Sequence, residues 1–179
     1  MKNTIWIFLF LFTINLSFSQ GLQIKKAELL IETAKPNSDE RVQIISKDLD
    51  VNYLNNNPEI VSKGTLTLSS LKTDNIYLQE LINDYSYTNI EFTMVFKNDQ
   101  FIGQSNIESS FKSVINITIN NITEEIPVEV IVSNSKTNQK NYYFIVVNGR
   151  LLLSHFDVEI SSVDDEIVFS YRQNVEVNN

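Results

Sequence analysis

The chain has 179 residues, with 22 acidic against 14 basic side chains, one histidine and no cysteine, for a net charge of −8 at pH 7. Disulfides, a thiolate nucleophile and Cys-ligated zinc are therefore excluded. A surface this negative repels phosphate backbones, so nucleic acid is not an expected partner.

The first nineteen residues read as a leader. Lys2 gives a positive start, the run Ile5-Trp6-Ile7-Phe8-Leu9-Phe10-Leu11-Phe12 is apolar but short, and Ser17 and Ser19 stand at −3 and −1 before Gln20. That is the layout of a cleaved secretory signal. The expected organisation is a signal peptide over residues 1–19 and a single domain over 20–179, placed in the periplasm or outside the cell. Loss of Lys2 leaves 13 cations against 22 anions, a net of −9. Nothing later approaches the roughly 20 apolar residues of a membrane helix, so no integral membrane segment is expected after cleavage.

Along the remainder, β-branched and aromatic residues recur at period two. Asn55-Asn56-Asn57-Pro58 is the strongest break and reads as a loop. Thr65-Leu66-Thr67-Leu68 alternates after it. Ile76, Leu78, Leu81 and Ile82 then fall near helical spacing, which predicts one short helix over residues 75–83, N-capped by Asp74 and covering an open end of the sheet. Ile90, Phe92, Met94 and Phe96 share one face of the next strand. Ile115, Ile117 and Ile119 alternate with Asn116, Thr118 and Asn120, and Val128 and Val130 flank Glu129. Residues 133–141 are polar and read as a long turn. Asn148-Gly149 is a hairpin signal. A continuous strand over residues 142–153, however, puts Tyr143, Ile145, Val147, Gly149, Leu151 and Leu153 together and sends Arg150 outward, with Gly149 as a kink or bulge. Ile167, Phe169 and Tyr171 close the series. The fold class is all-β.

Catalytic chemistry is scarce. Glycines at only 21, 64, 103 and 149 cannot form a phosphate cradle. Ser154-His155-Phe156-Asp157 holds the residue types of a triad, but neighbouring strand residues point to opposite faces and do not converge. Asp48 with Asp50, and Asp164-Asp165-Glu166, lack the spacing of a hard-cation loop, and the second reads as a solvated hairpin tip. No catalytic residue, metal or cofactor is assigned, and an enzyme is not expected. What remains is a bulky apolar inner face, which either fills the interior of a closed sheet or surrounds one small ligand. Periodicity does not separate the two.

Several segments resemble the YceI-like family of exported lipid-binding proteins. The run from Ile115 through Asn121 and Pro127 to Val130 is similar to that family's "G-x-L-T-I-x-G-V-T-x-x-V-x-L-x-V" hairpin, with Asn121 at its turn glycine. Gly64-Thr65-Leu66-Thr67-Leu68 resembles the strand leading into the family's "T" segment. Asn89-Ile90-Glu91-Phe92 resembles "P-x-I-x-F" without its proline, and Leu153-Ser154-His155-Phe156-Asp157 resembles "R-S-D-F-G" in outline. The likeness spans residues 64–175 and is weak before them. It implies an antiparallel, closed, lipocalin-like β-barrel of about eight strands, with an internal tunnel for an isoprenoid or fatty acyl chain and no catalytic residues. The expected tunnel lining is Leu66, Leu68, Phe92, Met94, Phe96, Ile117, Ile145, Val147, Phe169 and Tyr171. The alternative is a filled barrel or sandwich acting as an exported interaction or structural module. Dimerisation stays open.

Overall fold

The computed structural model describes residues 21–56, 58–84, 88–97, 99–100, 108–137 and 140–178, so the expected signal peptide lies outside the described residues. Alternation of apolar and polar side chains becomes nine strands: β1 (Gly21–Ala34), β2 (Arg41–Ser46), β3 (Asp50–Asn56), β4 (Glu59–Thr67), β5 (Asn89–Lys97), β6 (Ser109–Ile119), β7 (Ile122–Thr137), β8 (Lys140–Leu152) and β9 (Glu166–Asn178). They form one sheet in the order β2-β1-β9-β8-β7-β6-β5-β4-β3, antiparallel throughout.

The all-β expectation holds; closure and the strand count do not. The nine strands make an open half-barrel, and among the described residues no ladder joins the edge strands β2 and β3. Both edges belong to the first third of the mature chain, where the alternation was not legible. The free edge of β2 instead meets the segment after β4. Ile45 and Lys72 exchange two backbone hydrogen bonds, of 2.9 and 2.8 Å, and the Ser46 and Ser70 hydroxyls stand 2.8 Å apart.

The turns follow from local chemistry. Asn120 and Asn121 both take left-handed backbone (φ 51° and 64°) between the paired Ile119 and Ile122. A two-residue hairpin needs positive φ at both positions, and Asn tolerates it better than most residues. Strand β8 runs unbroken through Asn148 and Gly149, as the segregation of Arg150 requires. Gly149 is in register with Val128 and Phe169, so it is neither a kink nor a bulge. The strand ends at Leu152, and Leu153–Phe156 turns into a 3-10 helix, which takes Leu153 off the strand. The polar stretch over 133–141 is mostly strand, pairing through Thr137 and Lys140, rather than a long turn. The break before Pro58 is a hairpin turn between the paired Asn56 and Glu59, with Asn57 outside the described residues.

One α-helix, α1 (Ile76–Asp84), forms where the spacing placed it. Its cap is Asn75 rather than Asp74: the Asn75 Oδ1 accepts the Leu78 N–H at 3.1 Å. Leu78 and Ile82 pack with Leu66, Leu71, Val42 and Ile44, so the helix covers one end of the curled sheet and the inner side of β2. Leu68 belongs to this layer. Strand β4 stops at Thr67, and Leu68–Ser70 is a 3-10 turn, so Leu68 is not an inward strand residue.

Candidate ligand-binding site

The concave face of the sheet is half solid and half hollow. Toward one end, Ile60, Phe96, Val130, Ile145, Val147 and Val175 are all 0% exposed and pack against one another, with Phe96 and Phe111 edge to face at 6.4 Å. Toward the end covered by α1 lies a cavity of about 80 Å³. This is several times the ~10–15 Å³ that one water requires. Leu29, Ile31, Leu49, Leu66, Ile90, Phe92, Ile115, Ile117, Ile119, Leu151, Ile167, Phe169 and Tyr171 line it.

The expected lining residues divide between the halves. Leu66, Phe92, Ile117, Phe169 and Tyr171 stand on the cavity wall. Met94, Phe96, Ile145 and Val147 point inward but lie buried in the solid half, while Leu68 sits under the helix. Sequence reasoning missed the wall contributed by β1 (Leu29, Ile31) and by Leu49, because no clean alternation marks that region. It also passed over Ile115 and Ile119, which share the face of Ile117.

Two glycines shape the hollow. Gly64 is in register with Phe92, and Gly149 with Phe169. A Cβ on Gly64 would lie 2.2 Å from the Phe92 ring, and one on Gly149 would lie 2.4 Å from the Phe169 ring. Each phenyl ring therefore lies back over a bare stretch of neighbouring strand, which keeps it flat to the wall. An aromatic ring folded over a strand glycine also returns packing that the glycine lacks. Phe92 completes the wall against Tyr171, with ring centroids 5.3 Å apart.

Between hollow and solid core lies a polar patch. Ser62 (0% exposed) is one inner position from Gly64 on β4, and Gln173 (1%) is one inner position from Tyr171 (3%) on β9. Tyr53 of β3, in register with Ser62, reaches toward both Ser62 and Gln173. Burial pushes the Tyr53 and Tyr171 phenols well above their ordinary range, and Tyr143 upward as well. These hydroxyls stay neutral.

No catalytic grouping assembles around the histidine. The Ser154 hydroxyl donates to Asp165 at 2.7 Å, and the Ser154 N–H donates to the same carboxylate at 2.7 Å. These hydrogen bonds hold the Asp165 carboxyl below its usual range. Asp165 therefore fastens the start of the 3-10 turn and is not merely a solvated tip. His155 and Asp157 are exposed. Among the described residues no cluster of three acidic or histidine side chains is placed to hold a metal, and no helix is long and apolar enough to cross a membrane.

A curled antiparallel sheet around an apolar hollow, covered by one helix, defines a class of binding fold related to the β-barrel. Solved structures narrow it: the chain has the YceI-like fold. A polyisoprenoid-binding domain from Saccharophagus degradans, implicated in plant cell wall breakdown, superposes with a TM-score of 0.72 over 89% of this chain and 99% of its own, at 9% identity. The Campylobacter jejuni YceI protein gives 0.61 over 81% and 90%, at 16% identity. Burkholderia cenocepacia BcnA gives 0.54 over 83% and 95%, at 11% identity. No family profile matches the sequence, and no curated protein is similar to it.

Proposed function

We propose that the chain is an exported, non-catalytic carrier that holds an isoprenoid or fatty acyl chain in the hollow of its half-barrel, in the periplasm or outside the cell after removal of residues 1–19. The observation that carries this reading is the wall of the hollow, built from aliphatic and aromatic side chains alone. A native interior is ordinarily packed with few voids larger than a water, so an apolar hollow of about 80 Å³ beside a solid core calls for an occupant. Burial gains about 0.8 kcal/mol per methylene, so ten buried methylenes supply about 8 kcal/mol without any polar contact. A chain of that length exceeds the resting hollow. The Phe92 and Phe169 rings and the unladdered edges β2 and β3 are the parts that can give way. The Saccharophagus domain of the same fold is a polyisoprenoid binder, and the leader pattern of residues 1–19 supports export.

The solid half of the interior favours a second reading, an interaction module whose exterior or strand edges carry function. Solvent extraction of the purified protein followed by mass spectrometry separates the two. A stoichiometric lipid, or saturable uptake of a fluorescent fatty acid, is expected of the carrier. An empty extract with no uptake would leave the module.

A further inference from the structure

We propose that the patch formed by Ser62, Tyr171 and Gln173 is a head-group site, which takes the neutral, hydrogen-bonding end of an amphipathic lipid, a hydroxyl or a carbonyl. The inference rests on the carrier reading and adds ligand polarity and orientation to it.

Three observations carry it. First, the Ser62 Oγ, the Tyr171 hydroxyl and both polar atoms of the Gln173 amide are buried without a hydrogen-bond partner. Buried polar side chains are rarely left so, and four such atoms on adjoining positions call for a common explanation. Second, the patch forms the floor of the hollow. Tyr171 is itself on the cavity wall. Gln173 follows it on the inner face of β9, and Ser62 follows Gly64, over which the Phe92 ring lies. Beyond the floor, Ile60, Phe96, Ile145 and Val175 are solid. A ligand entering beneath α1 therefore meets apolar walls first and polar atoms last, and binds with its head inward. Third, the floor carries no charge. Burial keeps the Tyr53 and Tyr171 phenols protonated, and no cationic side chain is among the groups acting on either. An amide offers two donors and an acceptor, and hydroxyls offer both roles. Such a set satisfies an alcohol or a ketone. A carboxylate or phosphate would be desolvated with nothing to balance its charge, which is strongly unfavourable.

The test uses displacement of a bound fluorescent apolar probe from the full chain by dodecanol, dodecane and dodecanoate, with wild type compared against Gln173→Leu and Ser62→Ala. One or two added hydrogen bonds correspond to about tenfold in affinity. The wild type is expected to prefer dodecanol over both others by about that factor. Gln173→Leu is expected to erase the preference of alcohol over alkane while keeping alkane affinity, and to raise the melting temperature by removing an unsatisfied buried amide. Ser62→Ala, the smaller change, is expected to act in the same direction, so a misfolded Gln173→Leu protein leaves the test intact. Equal binding of alcohol and alkane to the wild type overturns the head-group site and leaves the carrier standing. So does tighter binding of the carboxylate, or an alcohol preference that survives both substitutions. Failure of all three ligands to displace the probe, or of the probe to bind, overturns both readings.

Discussion

Replacing Gly149 by alanine probes the origin of the hollow directly. The new methyl would stand 2.4 and 2.8 Å from Phe169 Cζ and Cε1, and 2.9 Å from Val128 Cγ1. Those distances are too short to persist. Val128 is buried between strands, whereas the Phe169 ring has the cavity beside it, so the ring swings inward. The backbone itself accepts alanine, since Gly149 does not have positive φ. Removing a mid-strand glycine gains about 0.5–1 kcal/mol, and overpacking costs about 1–3 kcal/mol. The expected net is a loss of about 1–2 kcal/mol in urea unfolding, with the fold kept. A phenyl ring turned into about 80 Å³ leaves little of it, so uptake of a fluorescent fatty acid should fall about tenfold or more. Phe169→Leu in the Gly149→Ala background shortens the offending group and should restore much of the uptake. Unchanged uptake in Gly149→Ala would refute the reasoning. A stability loss well beyond 3 kcal/mol would refute it too, because the ring would then have nowhere to go.

Four further expectations follow from particular contacts. Asn121→Val forces a β-branched residue into left-handed backbone and should cost about 1–2 kcal/mol in a urea titration, whereas Asn121→Gly should be neutral or stabilising. Met94→Lys places a charge at a site 1% exposed in the solid half and should unfold the protein or lower stability by several kcal/mol; Phe92→Asp, at the cavity wall, should retain the fold better while abolishing lipid retention, and the reverse ranking would contradict the division of the interior. Asp165 has its folded-state pKa depressed by Ser154, so its contribution is in place above the unfolded-state pKa and is lost as pH falls through the folded one; Ser154→Ala should return the carboxyl titration, followed by NMR, toward the ordinary value. Hydrogen exchange at the Ile45 and Lys72 amides should be faster than at Val130 and Val147, because an isolated bridge opens without disturbing a ladder; equal protection would count against a weak seam.

What the residues reveal, and what they conceal, is clearest on β5. Ile90, Phe92, Met94 and Phe96 announce a strand with one buried face, and the structure agrees. Yet Phe92 lines a hollow and Phe96 is locked in solid core. The difference lies across the strand pair: Phe92 faces Gly64, whereas Phe96 faces Ile60. Local pattern does not reveal cross-strand register, so it cannot tell a wall from a filling. The hairpin at Asn120 and Asn121 was legible because its chemistry is local. Strands β1 to β3 were not, since the register of β1 on β9 shifts between Ile24 and Lys26 and breaks the alternation. The outer halves of β7 and β8 carry polar residues over 133–141 and read as a turn, although backbone pairing extends through Thr137 and Lys140. The polar floor was invisible for a simpler reason: Ser62 and Gln173 become unusual only once both are seen buried on facing walls.

Closure failed as an expectation because it depends on the two strands farthest apart in sheet order. Those strands, β2 and β3, are nonetheless joined in sequence by Lys47, Asp48 and Leu49 alone. Such a link spans at most about 14 Å from Ser46 to Asp50, so the sheet must curl until its edges nearly meet. Every other neighbouring pair is held by a run of backbone pairing, but this gap is crossed by two hydrogen bonds between Ile45 and Lys72 and roofed by Leu78 and Ile82 of α1. Hydrogen bonds contribute about 0.5–1.5 kcal/mol each, so parting the bridge costs about 1–3 kcal/mol before the helix is moved. Parting any ladder costs several times that. The weakest line in the fold thus runs beside the hollow, and the largest apolar side chains on its wall lie against glycine. An interior that must admit a long chain without unfolding needs both features together: a seam that opens cheaply and rings that can leave the wall.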